Sequence, residues 1–266
     1  MQSLANISAT NALLQEYGLK AKYSYGQNFL VNQQILDKII NLSRVMPGYN
    51  VVEVGPGIGT LTRALVDEGA NVTAVEMDED LIPVIKETLP NVNLIQGDAL
   101  KTVPEGNMLI SNLPYNVAAP ILITYFQQNP NLKSATVMVQ KEIADRIMAK
   151  PKSKNYGAFT VKLGFYAEVV GSFGVSSSCF LPAPRVDSTV IRLDRVGHES
   201  IEACNLVDAV FAHRRKTIAN NLKLANNPRF DEAFADVDLS FRAEVLSKKD
   251  FKRIVSQLPP KDPANK

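Results

Sequence analysis

Tryptophan is absent from the 266 residues, and only 2 cysteines and 2 histidines occur. Cys179 and Cys204 cannot make the disulfide framework of a small secreted scaffold, and a chain of this length does not need one. His198 and His213 lie near no cysteine cluster and show no ligand spacing, so a metal site is not expected. No apolar run approaches the roughly 20 residues of a membrane span, and Met1 to Tyr17 lacks the segments of a targeting signal. A cytoplasmic protein without membrane contact is expected. Repeats and low-complexity blocks are missing too, and 45% hydrophobic with 21% charged residues is ordinary for a globular chain. Even an excess of one charge sign is lacking, since 29 Lys+Arg against 27 Asp+Glu leave +2. That sum divides by position. Residues 1–150 hold 11 basic and 14 acidic residues and residues 151–266 hold 18 and 13, so an anionic partner is to be sought in the second half.

From residue 50 to 140 short β-branched runs alternate with helical periods, the pattern of βαβ units in a parallel sheet. Strands are predicted at 50–54, 71–76, 91–96, 107–111 and 135–140, with helices at 60–68, 79–89 and 119–127 between them. Two more apolar segments, 158–169 and 188–193, read as strands extending the sheet. After about Gly197 only helical patterns follow, at 201–211, 214–224, 228–235 and 242–258. The expected architecture is α/β: a Rossmann-like sheet with helices on both faces over 1–196, then a small all-helical C-terminal domain over 197–266.

The loop Glu53-Val-Gly55-Pro-Gly57-Ile-Gly59-Thr60 follows an apolar strand and opens a helix, where glycines let backbone approach a ligand closely. A dinucleotide fingerprint requires glycine at position 60, which is Thr, so a pyrophosphate cradle and an NAD-dependent oxidoreductase are disfavoured. An acid two residues before the first glycine suits a ligand with an amino-acid ammonium and an adenosine but no phosphate; S-adenosylmethionine is of that kind. Glu76, 21 residues after Gly55 at the second strand end, is placed to accept both ribose hydroxyls. Asp98, past the third strand, can accept from the adenine amino group.

After the fourth strand comes Ser111-Asn112-Leu113-Pro114-Tyr115. Methyl transfer to the exocyclic amine of a purine requires the nitrogen lone pair to be localised, which carbonyl acceptors aimed at the amine hydrogens achieve. Asn112 offers its side-chain oxygen and Leu113 its backbone carbonyl, Pro114 fixes the loop, and Tyr115 presents a stacking face for an extruded base. No strong general base is required, because the methylated amine is more acidic and water can take the proton. Phe180, in a loop stiffened by Pro182 and Pro184, is the candidate for the opposite face of a base sandwich; core packing is the competing reading.

The chain resembles the small-subunit ribosomal RNA adenine N6-dimethyltransferases, the KsgA/RsmA family. The motifs that carry the resemblance are Gly26-Gln-Asn-Phe-Leu30, Glu53 to Thr62, Glu76-Met-Asp78, Gly97-Asp-Ala99, Asn112-Leu-Pro-Tyr115, Phe180-x-Pro-x-Pro-x-Val-x-Ser188 and Phe211-x-x-Arg-Arg-Lys216. The resemblance implies S-adenosylmethionine as donor and two methyl groups on each of two adjacent adenosines near the end of 16S rRNA, in a 30S subunit or its precursor. It also implies that Asn28 and Leu30 line the cofactor beside Gly55, Glu76, Asp98 and Asn112, with Tyr115 and Phe180 flanking the adenine. Tyr23-Ser24-Tyr25 departs from the family pattern and bears on RNA contacts; Thr217 follows the Arg-Arg-Lys run. An antibiotic-resistance type of large-subunit adenine methylase shares the glycine loop and the Asn-x-Pro-Tyr core, but Leu113 and the basic run, read as helical, lean away from it. A third reading is an assembly checkpoint acting chiefly by binding immature subunits.

RNA contact is expected where basic residues gather without acids. Between Asp145 and Glu168 stand Arg146, Lys150, Lys152, Lys154 and Lys162; between Asp208 and Asp231 stand Arg214, Arg215, Lys216, Lys223 and Arg229. Arg146, Lys150, Arg214, Arg215 and Lys216 are the principal candidates, on a chain expected to act as a monomer.

Overall fold

The computed structural model describes residues 3–22 and 25–260. They divide into two compact units, Met1–Ala144 with Glu168–Arg195 and Asp145–Ala167 with Val196–Lys266. The sequence placed one cut at 196/197; the chain also crosses between units at 144/145 and 167/168. Counted by unit, the first holds 12 basic and 16 acidic residues and the second 17 and 11.

The first unit is built from helices α1 (Ile7–Glu16), α2 (Gln33–Ser43), α3 (Thr60–Asp67), α4 (Ile82–Thr88) and α5 (Ala118–Gln128), with α6 (Lys141–Ile147) running across its boundary. Its strands are β1 (Phe29–Leu30), β2 (Asn50–Val54), β3 (Asn71–Glu76), β4 (Asn93–Gln96), β5 (Met108–Asn112), β6 (Ser134–Gln140), β7 (Ala167–Val175), β8 (Phe180–Leu181) and β9 (Ser188–Arg195). Seven strands form one sheet in the order β4-β3-β2-β5-β6-β9-β7, while β1 and β8 make a separate two-stranded ladder. β2 through β6 are mutually parallel, and β9 runs antiparallel to β6. β2 and β5 are buried almost throughout, as central strands covered on both faces must be. The order reverses between β2 and β5: the chain winds outward through β3 and β4, then returns to β5. In open α/β sheets the crevice at such a reversal, beyond the carboxyl ends of the strands, is where ligands bind.

The second unit contains α7 (Ala158–Tyr166), α8 (Ile201–Phe211), α9 (Ile218–Ala225), α10 (Pro228–Ala233) and α11 (Lys248–Ser256). Ser200, Thr217, Asn227 and Ser247 cap the last four, and Ser247 forms a reciprocal capping box with Asp250. Residues 158–169 are therefore not one strand: 158–166 form α7, and only 167–169 belong to a strand, the start of β7. Phe159, Thr160, Val161, Leu163, Gly164, Phe165 and Tyr166 are all buried, so this helix has no polar face and shows no helical period. Arg214-Arg215-Lys216 stand in a turn rather than a helix, and α9 begins only after Thr217, whose hydroxyl accepts from the Asn220 N–H. Among the described residues no helix is long and apolar enough to cross a membrane, and no group of three or more His, Cys, Asp or Glu could hold a metal ion.

Candidate active site

A cleft of about 390 Å3 opens at the switch point, lined by the ends of β2, β3 and β5 and by the segment before β1. Gly55, Gly57 and Gly59 have φ of +66°, +61° and +86°, a region that side chains rarely adopt. A Cβ on Gly57 would stand 3.3 Å from the Phe29 ring, and one on Gly55 would meet Pro114 Cγ at 3.5 Å. The glycine loop thus lies against the Asn-Leu-Pro-Tyr turn. α3 starts from Gly59 without a side-chain cap, leaving its first N–H groups no side-chain acceptor.

Glu53 and Glu76 are both buried. Burial pushes the Glu53 carboxyl up to about 8, and its Oε2 has no hydrogen-bond partner. Glu76 is held by backbone: Oε1 accepts from the Met77 and Asp78 N–H groups at 2.9 Å each and Oε2 from Gly57 N–H at 3.2 Å. Burial raises its pKa, with those three donors opposing. They also narrow the expectation for ribose. Of about four lone-pair sites on a carboxylate, three are taken and Oε2 keeps the open one. Asp98 lines the cleft half-buried, its Oδ1 oriented by the Leu100 N–H at 2.9 Å.

At the end of β5, Asn112 Nδ2 donates to the Asn28 carbonyl at 3.3 Å. A carbonyl can only accept, so this bond fixes the amide orientation and turns Oδ1 the other way. That oxygen is buried and receives no donor. Leu113 N–H donates to the Met138 carbonyl at 3.0 Å, and the Pro114 carbonyl accepts from Val117 N–H at 3.2 Å, which holds the turn. Tyr115 lines the cleft with its hydroxyl 2.8 Å from Ser188 Oγ, and burial raises its pKa.

Asn28 and Leu30 line the same cleft. Their segment is clamped from a direction the sequence reading missed. Lys22 Nζ pairs with Asp78 Oδ1 and Asp80 Oδ2 at 2.6 Å each, and Gln27 Nε2 donates to Asp78 Oδ2 at 2.6 Å. Burial pushes the Asp78 carboxyl up, but these donors outweigh it and hold the group below the usual range. Asp78 stands two residues past Glu76 within a quoted motif, which was the available signal. Tyr23 and Ser24 lie outside the described residues.

Phe180 is not a wall of this cleft. It is 4% exposed, pairs in register with Leu30 through the β1–β8 ladder, and shares a core cluster with Leu36, Ile39, Met138 and Val190. It is buried in one cluster with Leu30 and Met138, which do face the cavity.

All five principal basic candidates lie in the second unit. The Arg214 guanidinium donates to the Ser153 and Lys154 carbonyls and pairs with Glu244, so the two acid-free stretches are one place in space. Lys162 is neutralised by Asp208 and Arg229 by Glu202. Arg146 lies over the Phe159 ring at 5.1 Å. Lys150, Lys152, Lys154, Arg215, Lys216 and Lys223 are exposed and make no ion pair among the described residues.

The sheet order, the glycine loop and the residues at three successive strand ends define the Rossmann-like class of S-adenosylmethionine-dependent methyltransferases. The family model described as ribosomal RNA adenine dimethylase matches residues 18–259, and the chain belongs to that family. A curated relative, ribosomal RNA small subunit methyltransferase A of Shouchella clausii, is 39% identical over 286 residues, 97% of this chain and 96% of that protein. The crystal structure of a dimethyladenosine transferase from Plasmodium falciparum is similar at a TM-score of 0.71 and 26% identity, over 85% of this chain and 95% of that one. That of the 23S rRNA methyltransferase ErmE is similar at 0.62 and 26%, over 87% and 99%.

Proposed function

We propose that this protein transfers methyl groups from S-adenosylmethionine to the N6 amines of two adjacent adenosines near the 3′ end of 16S rRNA. The substrate is a 30S subunit or its precursor, and the enzyme acts as a cytoplasmic monomer with a part in 30S biogenesis. The observation that carries this reading is Asn112 Oδ1, a buried acceptor without a donor, beside a glycine loop that suits a phosphate-free adenosine ligand.

S-adenosylmethionine, when bound, supplies an electrophilic methyl carbon on a sulfonium. Gly55 gives it backbone access, Glu76 Oε2 accepts a ribose hydroxyl, Asp98 accepts from the adenine amine, and Asn28 and Leu30 close the near side. The orphaned Glu53 oxygen matches the ligand's ammonium. Asn112 Oδ1 and the Leu113 carbonyl accept hydrogens of the target N6, returning the lone pair to that nitrogen. Pro114 holds the turn, Tyr115 stacks on the extruded base, and Phe180 acts from the core by backing Leu30. The sulfonium would give up its methyl group to N6 and leave as a neutral thioether, and water would take the N6 proton. Residues 1–196 form the catalytic domain apart from the excursion at 145–167, which joins residues 197–266 in holding RNA through Arg146, Lys150, Arg214, Arg215 and Lys216.

The test is methylation of purified 30S and 50S particles with labelled donor, followed by primer extension on the labelled RNA. Label on 30S with stops at two adjacent adenosines is expected. The likeness to ErmE favours one alternative, a large-subunit enzyme, and label on 50S alone would establish it. An Asn112→Ala protein that still binds 30S precursors and leaves assembly intact would favour the checkpoint reading.

A further inference from the structure

A third chain segment is woven between the two basic loops of the second unit. Lys152 N–H donates to the Glu244 carbonyl at 2.8 Å, and the Glu244 carboxylate holds Arg214. Ile218 N–H donates to the Phe241 carbonyl at 2.8 Å and Ala219 N–H to that of Leu239 at 3.1 Å, directly after the Arg214-Arg215-Lys216 turn. Tyr156, between the same loops in sequence, donates its hydroxyl to the Leu246 carbonyl at 2.8 Å. Residues 239–246 therefore connect loop 150–154 to turn 214–216. On this connector Phe241 is 55% exposed, and the adjoining Arg242 is exposed with no ion pair among the described residues. The nearby acids are engaged, Glu244 by Arg214 and Asp238 by the Ser240 N–H.

An aromatic ring left in water among cations is the composition of a surface that stacks an unpaired base while its neighbours hold phosphates. We infer that Phe241 is a stacking platform for an unpaired nucleotide of the RNA substrate and that Arg242 contacts the adjoining phosphate. The charge supports RNA as the occupant: Lys150, Lys152, Lys154, Arg215 and Lys216 stand unpaired on the two loops this segment joins. The inference rests on the proposed rRNA substrate and adds a base contact in the second unit, where the proposed contacts were to phosphates only.

Binding of the full chain to small ribosomal subunits carrying unmethylated 16S rRNA tests it, measured over a range of salt. Phe241→Ala should weaken binding roughly 5- to 150-fold, the range for loss of one stacked base, with the salt slope unchanged. Phe241→Tyr should bind like the parent, and Phe241→Leu should fail like Ala. Arg242→Ala should lower the log–log salt slope by about one. Because both side chains are exposed, melting temperatures should stay at the parent's value. Parent-like binding by Phe241→Ala overturns the stacking assignment while the rRNA reading stands. Parent-like binding by Phe241→Leu also overturns it, since any apolar side chain would then serve a protein contact. No binding by the parent overturns both.

Discussion

Asn112→Ala separates the chemistry of the site from the holding of its ligand. The native side chain does two things: Nδ2 makes a long 3.3 Å bond to the Asn28 carbonyl, and Oδ1 waits buried without a donor. Losing the first costs about 0.5–1.5 kcal/mol, the net worth of an ordinary hydrogen bond, so donor affinity and stability should change by at most about tenfold. Losing the second removes a preorganised partner for the hydrogens of the attacking amine. The counterpart in acyl transfer, deletion of one oxyanion-hole donor, costs about 2.7–4 kcal/mol or 10²–10³ in kcat. Single-turnover methylation of small subunits at saturating donor should therefore slow by two to three orders of magnitude, while calorimetry finds donor Kd raised tenfold or less. A rate that falls only as far as donor affinity does would refute the argument, because Asn112 would then be a binding residue and its orphaned oxygen irrelevant to the transferred methyl.

Three further outcomes are expected. Because burial raises the Glu53 carboxyl to about 8, the folded state keeps a proton that the unfolded chain loses near 4.5. Stability should thus fall by about 1.4 kcal/mol per pH unit between those values; Glu53→Gln should flatten that slope in pH-dependent denaturation and abolish proton release on donor binding below pH 8. Gly57→Ala forces a side chain into φ +61° against the Phe29 ring, costing about 1–2 kcal/mol and a Tm roughly 2–8 °C lower, whereas Gly174→Ala, with open space around it, should melt like the parent. A double-mutant cycle of Tyr115→Phe and Ser188→Ala should show coupling of about 0.5–1.5 kcal/mol in methyl-transfer rate, since the 2.8 Å bond between them fixes the ring; additive effects would deny Ser188 that positioning role.

The sheet was legible because its central strands carry the signal that strands can carry: β2 and β3 begin and end where the β-branched runs do. Glycines at 55, 57 and 59 were equally legible, since their φ values lie where side chains are strained. α7 was not, because a helix with seven of its nine residues buried has no period to read. Phe180 shows a different limit. Its motif announces importance, but only the packing of the ring into the core cluster shows that it is buried away from the cleft lining. The pairing of Lys22 and Gln27 with Asp78 was invisible for a third reason, since Asp78 lies more than 50 positions away. Likewise, nothing in the sequence of residues 239–246 shows that backbone carbonyls there receive N–H groups from two distant basic stretches.

The neutral total of +2 follows from requirements that one surface could not meet. A cationic, phosphate-free donor asks for buried acids, and Glu53, Glu76 and Asp98 gather at three strand ends of a unit with 16 acidic and 12 basic residues. RNA phosphates are repelled by the net negative charge of that unit, and at physiological salt such fields persist over about 8 Å. On the proposed function, the part of the substrate that enters the cleft is therefore the part without phosphate charge, a neutral base for Tyr115 and the Asn112 amide. Phosphates need cations held elsewhere, and on the same proposal the second unit, with 17 basic and 11 acidic residues, offers them on exposed loops. Adding lysines to the cleft rim should accordingly tighten RNA binding while weakening the donor, whereas adding them to residues 150–154 should tighten RNA alone.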